Sequence, residues 1–158
     1  MNDALLQILM SFAGSFGFSV LYNVRGKKLL WAAMGGVLAW GTNLLLMPVI
    51  AGEPLRYFFS AFFSAVYAEI LARVLKTPAT TFLIPSIIPN IPGGALYHTM
   101  RFALNREWGA CFSQAFYTLK LALALALGII AVLSLLGVLQ VILNQVWYHT
   151  GSQKEHTP

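Results

Sequence analysis

The chain has 158 residues, of which 58% are hydrophobic and 9% are charged, and its formal net charge is +5. A soluble domain of this size could not bury so much apolar side chain, so the composition predicts an integral membrane protein with one domain over residues 1–158. Lys and Arg lie at the ends of apolar runs, not in a stripe with exposed aromatics, which indicates contact with a lipid bilayer and excludes nucleic acid as a partner.

Five apolar segments predict an all-α integral membrane protein, a bundle of four to five transmembrane helices. They cover residues 4–24, 29–51, 55–75, 79–103 and 121–147, followed by a polar tail at 149–158. A bilayer crossing needs roughly 20 apolar residues. The first segment is interpreted as a retained helix, since Met1-Asn2-Asp3 gives no basic region of a signal peptide. Residues 108–119 mix polar and aromatic side chains and are expected to lie at the membrane interface.

The fourth apolar segment contains the most informative stretch, Ile84 to Gly94. It is interrupted by Pro85, Pro89, Pro92, Gly93 and Gly94. Proline removes a backbone donor and clashes with the preceding turn, so no regular helix is expected through this stretch. Broken apolar segments leave carbonyls and amides free to hold a solute, which is typical of transport sites. The alternative is a proline kink or re-entrant loop with a structural role, for which Pro85 and Pro89 are the candidates.

Short polar side chains surround the break and make it a candidate substrate site. A helix is expected to begin after the glycines, at 95–103, and its free amides and dipole would favour an anion such as a carboxylate. The candidate substrate-binding residues are Thr81, Ser86, Asn90, Pro92, Gly93, Gly94 and Tyr97. His98 is a candidate for proton coupling because imidazole titrates near neutral pH, and the alternative for it is a packing residue.

The third segment carries an acidic and a basic residue inside an apolar run. Glu69 and Arg73 are four residues apart on one helix face, so they can pair and lower each other's cost in the membrane. Glu69 is the second candidate for proton coupling, and a structural ion pair with Arg73 is the favoured alternative. Small residues at Ser60, Ser64 and Ala68 predict close helix packing inside a bundle.

The basic turns predict the topology. The turn at 25–28 should be cytoplasmic, which puts the N-terminus outside and Arg73 and Lys76 inside. If the fourth segment spans the membrane, Arg101 and Arg106 lie outside. If it re-enters, these arginines stay inside, and the sequence leaves both topologies open.

No enzyme constellation is present in the sequence. GxSxG, HExxH and P-loop patterns are absent, and the five acidic residues are scattered singly, so the chain is not expected to be an enzyme. The single cysteine, Cys111, excludes an internal disulfide and a CxxC metal site. His149 and His156 have no further ligand types nearby. Neither a cofactor nor a metal is expected.

Several of these features together resemble a known family. The resemblance rests on Gly17-Phe18, the basic turn after Val24, Ala72-Arg73, Lys76-Thr77-Pro78, and above all Pro85 to Gly93 with Tyr97 beyond it. Their order resembles the C-terminal half of the threonine/serine exporter family. That half also occurs as a separate small protein, including the small subunit of a two-component succinate exporter in enteric bacteria. Asn90 stands where the family commonly has an aliphatic residue.

The resemblance implies a multi-pass subunit of an exporter in the bacterial inner membrane. Its substrates would be small carboxylates, either threonine/serine-type amino acids or dicarboxylates such as succinate. It would work with a separately encoded, larger membrane subunit that resembles the N-terminal half of the family, and a homo-oligomer is also open. The alternatives are a non-transporting scaffold that stabilises a partner and a small passive channel.

Overall fold

A computed structural model describes the backbone of residues 2–152 and the side chains of residues 3–139. The described residues form six α-helices and one 3-10 turn, without a strand, which confirms the all-α class. The elements are α1 (Asn2–Leu21), α2 (Lys27–Leu46), α3 (Glu53–Val74), α4 (Thr80–Ile87), the 3-10 turn (Ile88–Asn90), α5 (Gly93–Leu104) and α6 (Trp108–Ser152). Four of the helices, α1, α2, α3 and α6, are long and apolar enough to cross a membrane.

Helix α2 lies between α1, α3 and α4, and glycines let it approach two of them closely. A Cβ added to Gly36 would lie 1.8 Å from Ser15 Oγ of α1, and one added to Gly35 would lie 1.8 Å from Ser86 Oγ of α4. No side chain larger than hydrogen fits at either position without movement. The bundle is therefore held by the small-residue contacts that are typical of helices packing in lipid.

Helix α3 packs against α6 through another glycine. A Cβ on Gly128 would lie 2.4 Å from the carbonyl oxygen of Phe58. The predicted small residues of α3, Ser60, Ser64 and Ala68, are fully buried, which confirms close packing along this helix. Since α6 residues 121–124 contact Tyr57 and Gly128 lies beside 58–62, α6 runs in the same direction as α3.

The two basic turns lie at one end of the bundle, here called the basic end. Lys28 Nζ donates a hydrogen bond of 2.6 Å to Thr77 Oγ1, as expected if both turns face the same side of a membrane. Helix α4 begins near this end, and the 3-10 turn that follows it reaches Ser60 in the far half of α3. The break thus lies toward the end opposite the basic turns.

Beyond the break, α5 packs chiefly against the first part of α6. The hydroxyls of Thr99 and Thr118 lie 3.4 Å apart across this contact. Because α6 runs parallel to α3, its residues before Leu121 extend past the start of α3, and α5 lies beside them. Arg101 and Arg106 are therefore at the end of the bundle opposite the basic turns. This arrangement corresponds to the predicted topology in which the fourth segment spans the membrane.

The predicted break is confirmed but is shorter than the interrupted stretch, and one predicted boundary is wrong. No regular helix passes through Ile84 to Gly94, but α4 continues through Pro85 to Ile87, so the irregular stretch is confined to 88–92. Pro85 removes one amide donor from α4, so the helix lacks the hydrogen bond that this amide would make. The boundary that is wrong concerns residues 108–119, which belong to the continuous helix α6. Buried Thr118 donates to the Gln114 carbonyl of the same helix at 2.8 Å, and its hydroxyl also lies 3.4 Å from that of Thr99 on α5. The side chains of the predicted tail, 149–158, lie outside the described residues.

Candidate functional site at the broken fourth segment

A groove with a volume of about 350 Å³ lies beside the break. The break itself forms one wall, and the other walls come from the ends of α2 and α3 and from the first half of α6. The lining residues are Trp40, Glu53, Tyr57, Pro89, Ile91, Pro92, Gly93, Gly94, Ala95, His98, Gln114, Tyr117 and Leu121. Four separate parts of the chain therefore meet at one concave surface near the end opposite the basic turns.

The backbone at the start of α5 leaves two amides free. The Gly93 amide donates to the Ile91 carbonyl at 2.6 Å, and the Leu96 amide donates to the Pro92 carbonyl at 3.0 Å. Within residues 2–152, no carbonyl accepts from the amides of Gly94 and Ala95. The first amides of a helix lack intrahelical acceptors, and together with the helix dipole they favour a negatively charged group.

Open space adjoins the α-carbons of the two glycines that begin α5. A Cβ added to Gly93 or Gly94 would meet no atom within 4 Å, so neither glycine is required by packing inside the protein. Both residues line the groove. A branched side chain at position 94 would therefore occupy space beside the break without displacing another side chain.

The predicted site residues divide into two groups. Pro92, Gly93, Gly94 and His98 line the groove. The other predicted substrate-binding residues, Thr81, Ser86, Asn90 and Tyr97, are absent from its lining. Tyr97 is exposed, and its ring centroid lies 5.5 Å from that of His98 in an edge-to-face arrangement. Thr81 is half-buried within α4.

Ser86 and Asn90 lie in the interior of the bundle, where both are fully buried. Ser86 Oγ donates to the Phe82 carbonyl at 2.6 Å. Asn90 Nδ2 donates to Ser60 Oγ, which in turn donates to the Ala39 carbonyl. The Ser86 bond stays within α4, whereas the two bonds that begin at Asn90 tie the 3-10 turn to α3 and α2. Asn90 Oδ1 is buried without a hydrogen-bond partner among the described residues.

Glu69 and Arg73 are placed on α3 away from the groove. Glu69 is half-buried and Arg73 is exposed. Among the side chains that the structure describes, no Arg73 nitrogen lies within 4 Å of the Glu69 carboxylate, so the expected ion pair is absent. Within the same residues, no group of three metal-ligating side chains is present.

The groove also contains functional candidates that the sequence alone did not single out. They are Trp40, Glu53, Tyr57, Gln114 and Tyr117, contributed by three different helices. The spacing of Glu53 and Tyr57, four residues apart at the start of α3, was a usable signal because such residues share one helix face. Nothing in the sequence indicated that the polar part of α6, with Gln114, faces the same groove as the break.

The comparison with protein families supports a single assignment. The family model described as threonine/serine exporter, ThrE, matches residues 7–135, most of the chain. No curated protein and no solved structure matches it. The matched range begins in α1, ends in α6, and contains the whole break and every residue that lines the groove. With four helices long enough to cross a membrane, this chain is a multi-pass membrane protein that belongs to the threonine/serine exporter family.

Proposed function

We propose that this chain is a subunit of a secondary exporter for small carboxylates and that the groove beside the break is its substrate site. The proposal rests on one observation: the backbone amides of Gly94 and Ala95, in the wall of an open groove, have no hydrogen-bond acceptor among the described residues. Membership of an exporter family supports the transport role. Broken helices that present free amides to an anion are a recurring way for membrane transporters to bind a carboxylate.

In this proposal the substrate carboxylate accepts hydrogen bonds from the Gly94 and Ala95 amides. Tyr57, Gln114 and Tyr117 supply further hydrogen-bonding groups from the opposite walls. His98 is the coupling candidate inside the groove, since an imidazole there could exchange a proton as the substrate binds or leaves. Glu69 lies away from the groove, so a coupling role for it would require a separate proton path.

The substrate, the membrane and the partner are also proposals. The resemblance at the break favours threonine and serine or a dicarboxylate such as succinate, exported through the bacterial inner membrane. We propose that a larger, separately encoded membrane subunit packs against this chain. The exposed apolar residues on α1 and α6, such as Leu9, Leu21, Phe112 and Leu127, are compatible with either lipid or such a subunit.

The test is efflux of threonine, serine and succinate from bacterial cells that express this chain with and without the larger subunit. We expect export only when both are present, because this chain supplies one half of the family's arrangement. Export by this chain alone would contradict the need for a partner. An assembled complex that exports none of the three compounds would contradict the carrier role and favour the scaffold, whereas flux without an ion gradient would favour the passive channel.

A further inference from the structure

We infer that Glu53 binds a cationic amino group on the transported molecule, so that the groove selects amino acids over dicarboxylates. This inference rests on the proposed function of the groove and assigns its substrate class. It concerns a residue of α3, which is remote in sequence from the break and becomes part of the site only through the fold.

The position of Glu53 carries the inference. It is the first residue of α3, it is half-buried, and it lines the groove together with the glycines of the break. No Lys or Arg lines the groove, and among the described side chains no basic nitrogen lies within 4 Å of the Glu53 carboxylate. His98 is the basic side chain in the lining, and Arg56 follows three residues later on α3 without forming an ion pair with Glu53. A half-buried carboxylate that forms no ion pair favours a cationic ligand.

Aromatic residues complete the surroundings that a cation prefers. Trp40, Tyr57 and Tyr117 line the same groove as Glu53. The face of an indole or phenol ring attracts an ammonium group, and the attraction is stronger where water is partly excluded. The groove lining therefore combines a carboxylate with aromatic rings.

The start of α5, in the same lining, has the opposite preference. The free amides of Gly94 and Ala95 are donors and belong to the positive end of a helix. An α-amino acid presents a carboxylate and an ammonium group together, which matches a groove lined by both amide donors and a carboxylate acceptor. A dicarboxylate would bring its second carboxylate toward Glu53, and like charges in a partly buried site repel.

Glu53 also has a possible structural role, which the test must separate from ligand recognition. An acidic residue in the first turn stabilises a helix through its dipole. Such a role would change the stability of α3 without discriminating between ligands. A role in recognition would change the binding of compounds that carry an amino group and leave amino-blocked compounds unaffected.

The experiment measures ligand binding to the purified full-length protein through the fluorescence of Trp40. The other tryptophans, Trp31, Trp108 and Trp147, are replaced by phenylalanine. L-threonine, N-acetyl-L-threonine, L-threonine amide and succinate are titrated into this background and into its Glu53→Gln variant. Glu107→Gln is the matched control, because Glu107 is an exposed carboxylate just before α6 and outside the groove.

We expect Glu53→Gln to weaken binding of threonine and threonine amide by about tenfold or more and to leave N-acetylthreonine within about twofold. Succinate should bind the parent more weakly than threonine and gain affinity in the variant. The control should bind all four compounds as the parent does.

Equal threonine binding by parent and variant would overturn the role of Glu53 while leaving the groove as the substrate site. If the parent binds succinate more tightly than threonine, the inferred selection of amino acids over dicarboxylates is wrong. If none of the four compounds alters Trp40 fluorescence in the parent, the groove itself is not the substrate site, and both proposals fail. Should Glu53→Gln not fold, the parent alone provides the test: threonine should bind at least about tenfold more tightly than N-acetyl-L-threonine, and equal affinities of the two would overturn the inferred amino-group site.

Discussion

At the scale of single residues, the polar groups of the fourth segment have two different roles. A polar side chain in an apolar segment needs a partner, but its residue type does not reveal whether the partner is a substrate or another helix. Ser86 Oγ and Asn90 Nδ2 find acceptors inside the protein, whereas Asn90 Oδ1 and the Gly94 amide have no partner in the described structure. The sequence could therefore identify the break as a site without distinguishing its lining from its support.

Asn90 provides a test of this distinction. Asn90→Ala removes the hydrogen bond to Ser60 and leaves a cavity, so we expect the free energy of unfolding to fall by about 1–3 kcal/mol. Unfolding in detergent measures it, and Asn105→Ala, at an exposed position, should have little effect. A variant with unchanged stability but lost threonine binding would show that Asn90 contacts the substrate instead.

At the scale of the elements, length and apolar character predicted the helices well, and proline and glycine predicted the break. A new helix was also expected at 95–103, but α5 begins two residues earlier, at Gly93, and includes both glycines. The boundaries were less predictable because they depend on contacts between elements. Residues 108–119 carry enough polar side chains to suggest a separate interfacial piece, yet they form the first part of α6, and the Thr118 hydroxyl meets α5 and the backbone of α6 itself.

The contact between α2 and α4 allows a prediction about packing. Gly35→Ala would place its Cβ 2.8 Å from Ser86 Cβ, which rotation of the serine cannot relieve. We expect a loss of about 1–3 kcal/mol in the free energy of unfolding, measured in detergent.

Gly41→Ala, on the same helix with no atom within 4 Å of the added Cβ, is the matched control. It should be neutral or stabilising by up to about 1 kcal/mol, because alanine favours a helix over glycine. Adding Ser86→Gly to Gly35→Ala should restore part of the loss. Equal stability of the two single variants would show that α2 and α4 do not approach as closely as described.

At the scale of the whole molecule, the fold brings the ends of α2, α3 and α6 to the break. Charge predicted that the two basic turns lie at the same end of the bundle. The hydrogen bond between Lys28 and Thr77 agrees with this prediction. The path of the fourth segment was not predictable, since its charges are compatible with either topology. Neither was the groove, because Glu53 and Gln114 join it through helix packing that apolar periodicity does not encode.

The central claim is that substrate passes through the groove beside the break, and the efflux rate of a Gly94→Val variant tests it most directly. Gly94 and Gly109 are both the second residue of a helix, and a Cβ at either meets no atom within 4 Å. Only Gly94 lines the groove. Gly109→Val therefore matches it in backbone position and in available space.

Threonine efflux is measured in cells that also express the larger subunit, with the amount of each variant in the membrane determined in parallel. We expect Gly94→Val to lower the efflux rate by about tenfold or more, because the branched side chain covers the free amides, while Gly109→Val exports at the parental rate. Parental efflux by a normally inserted Gly94→Val variant would contradict the claim that the groove is the substrate site.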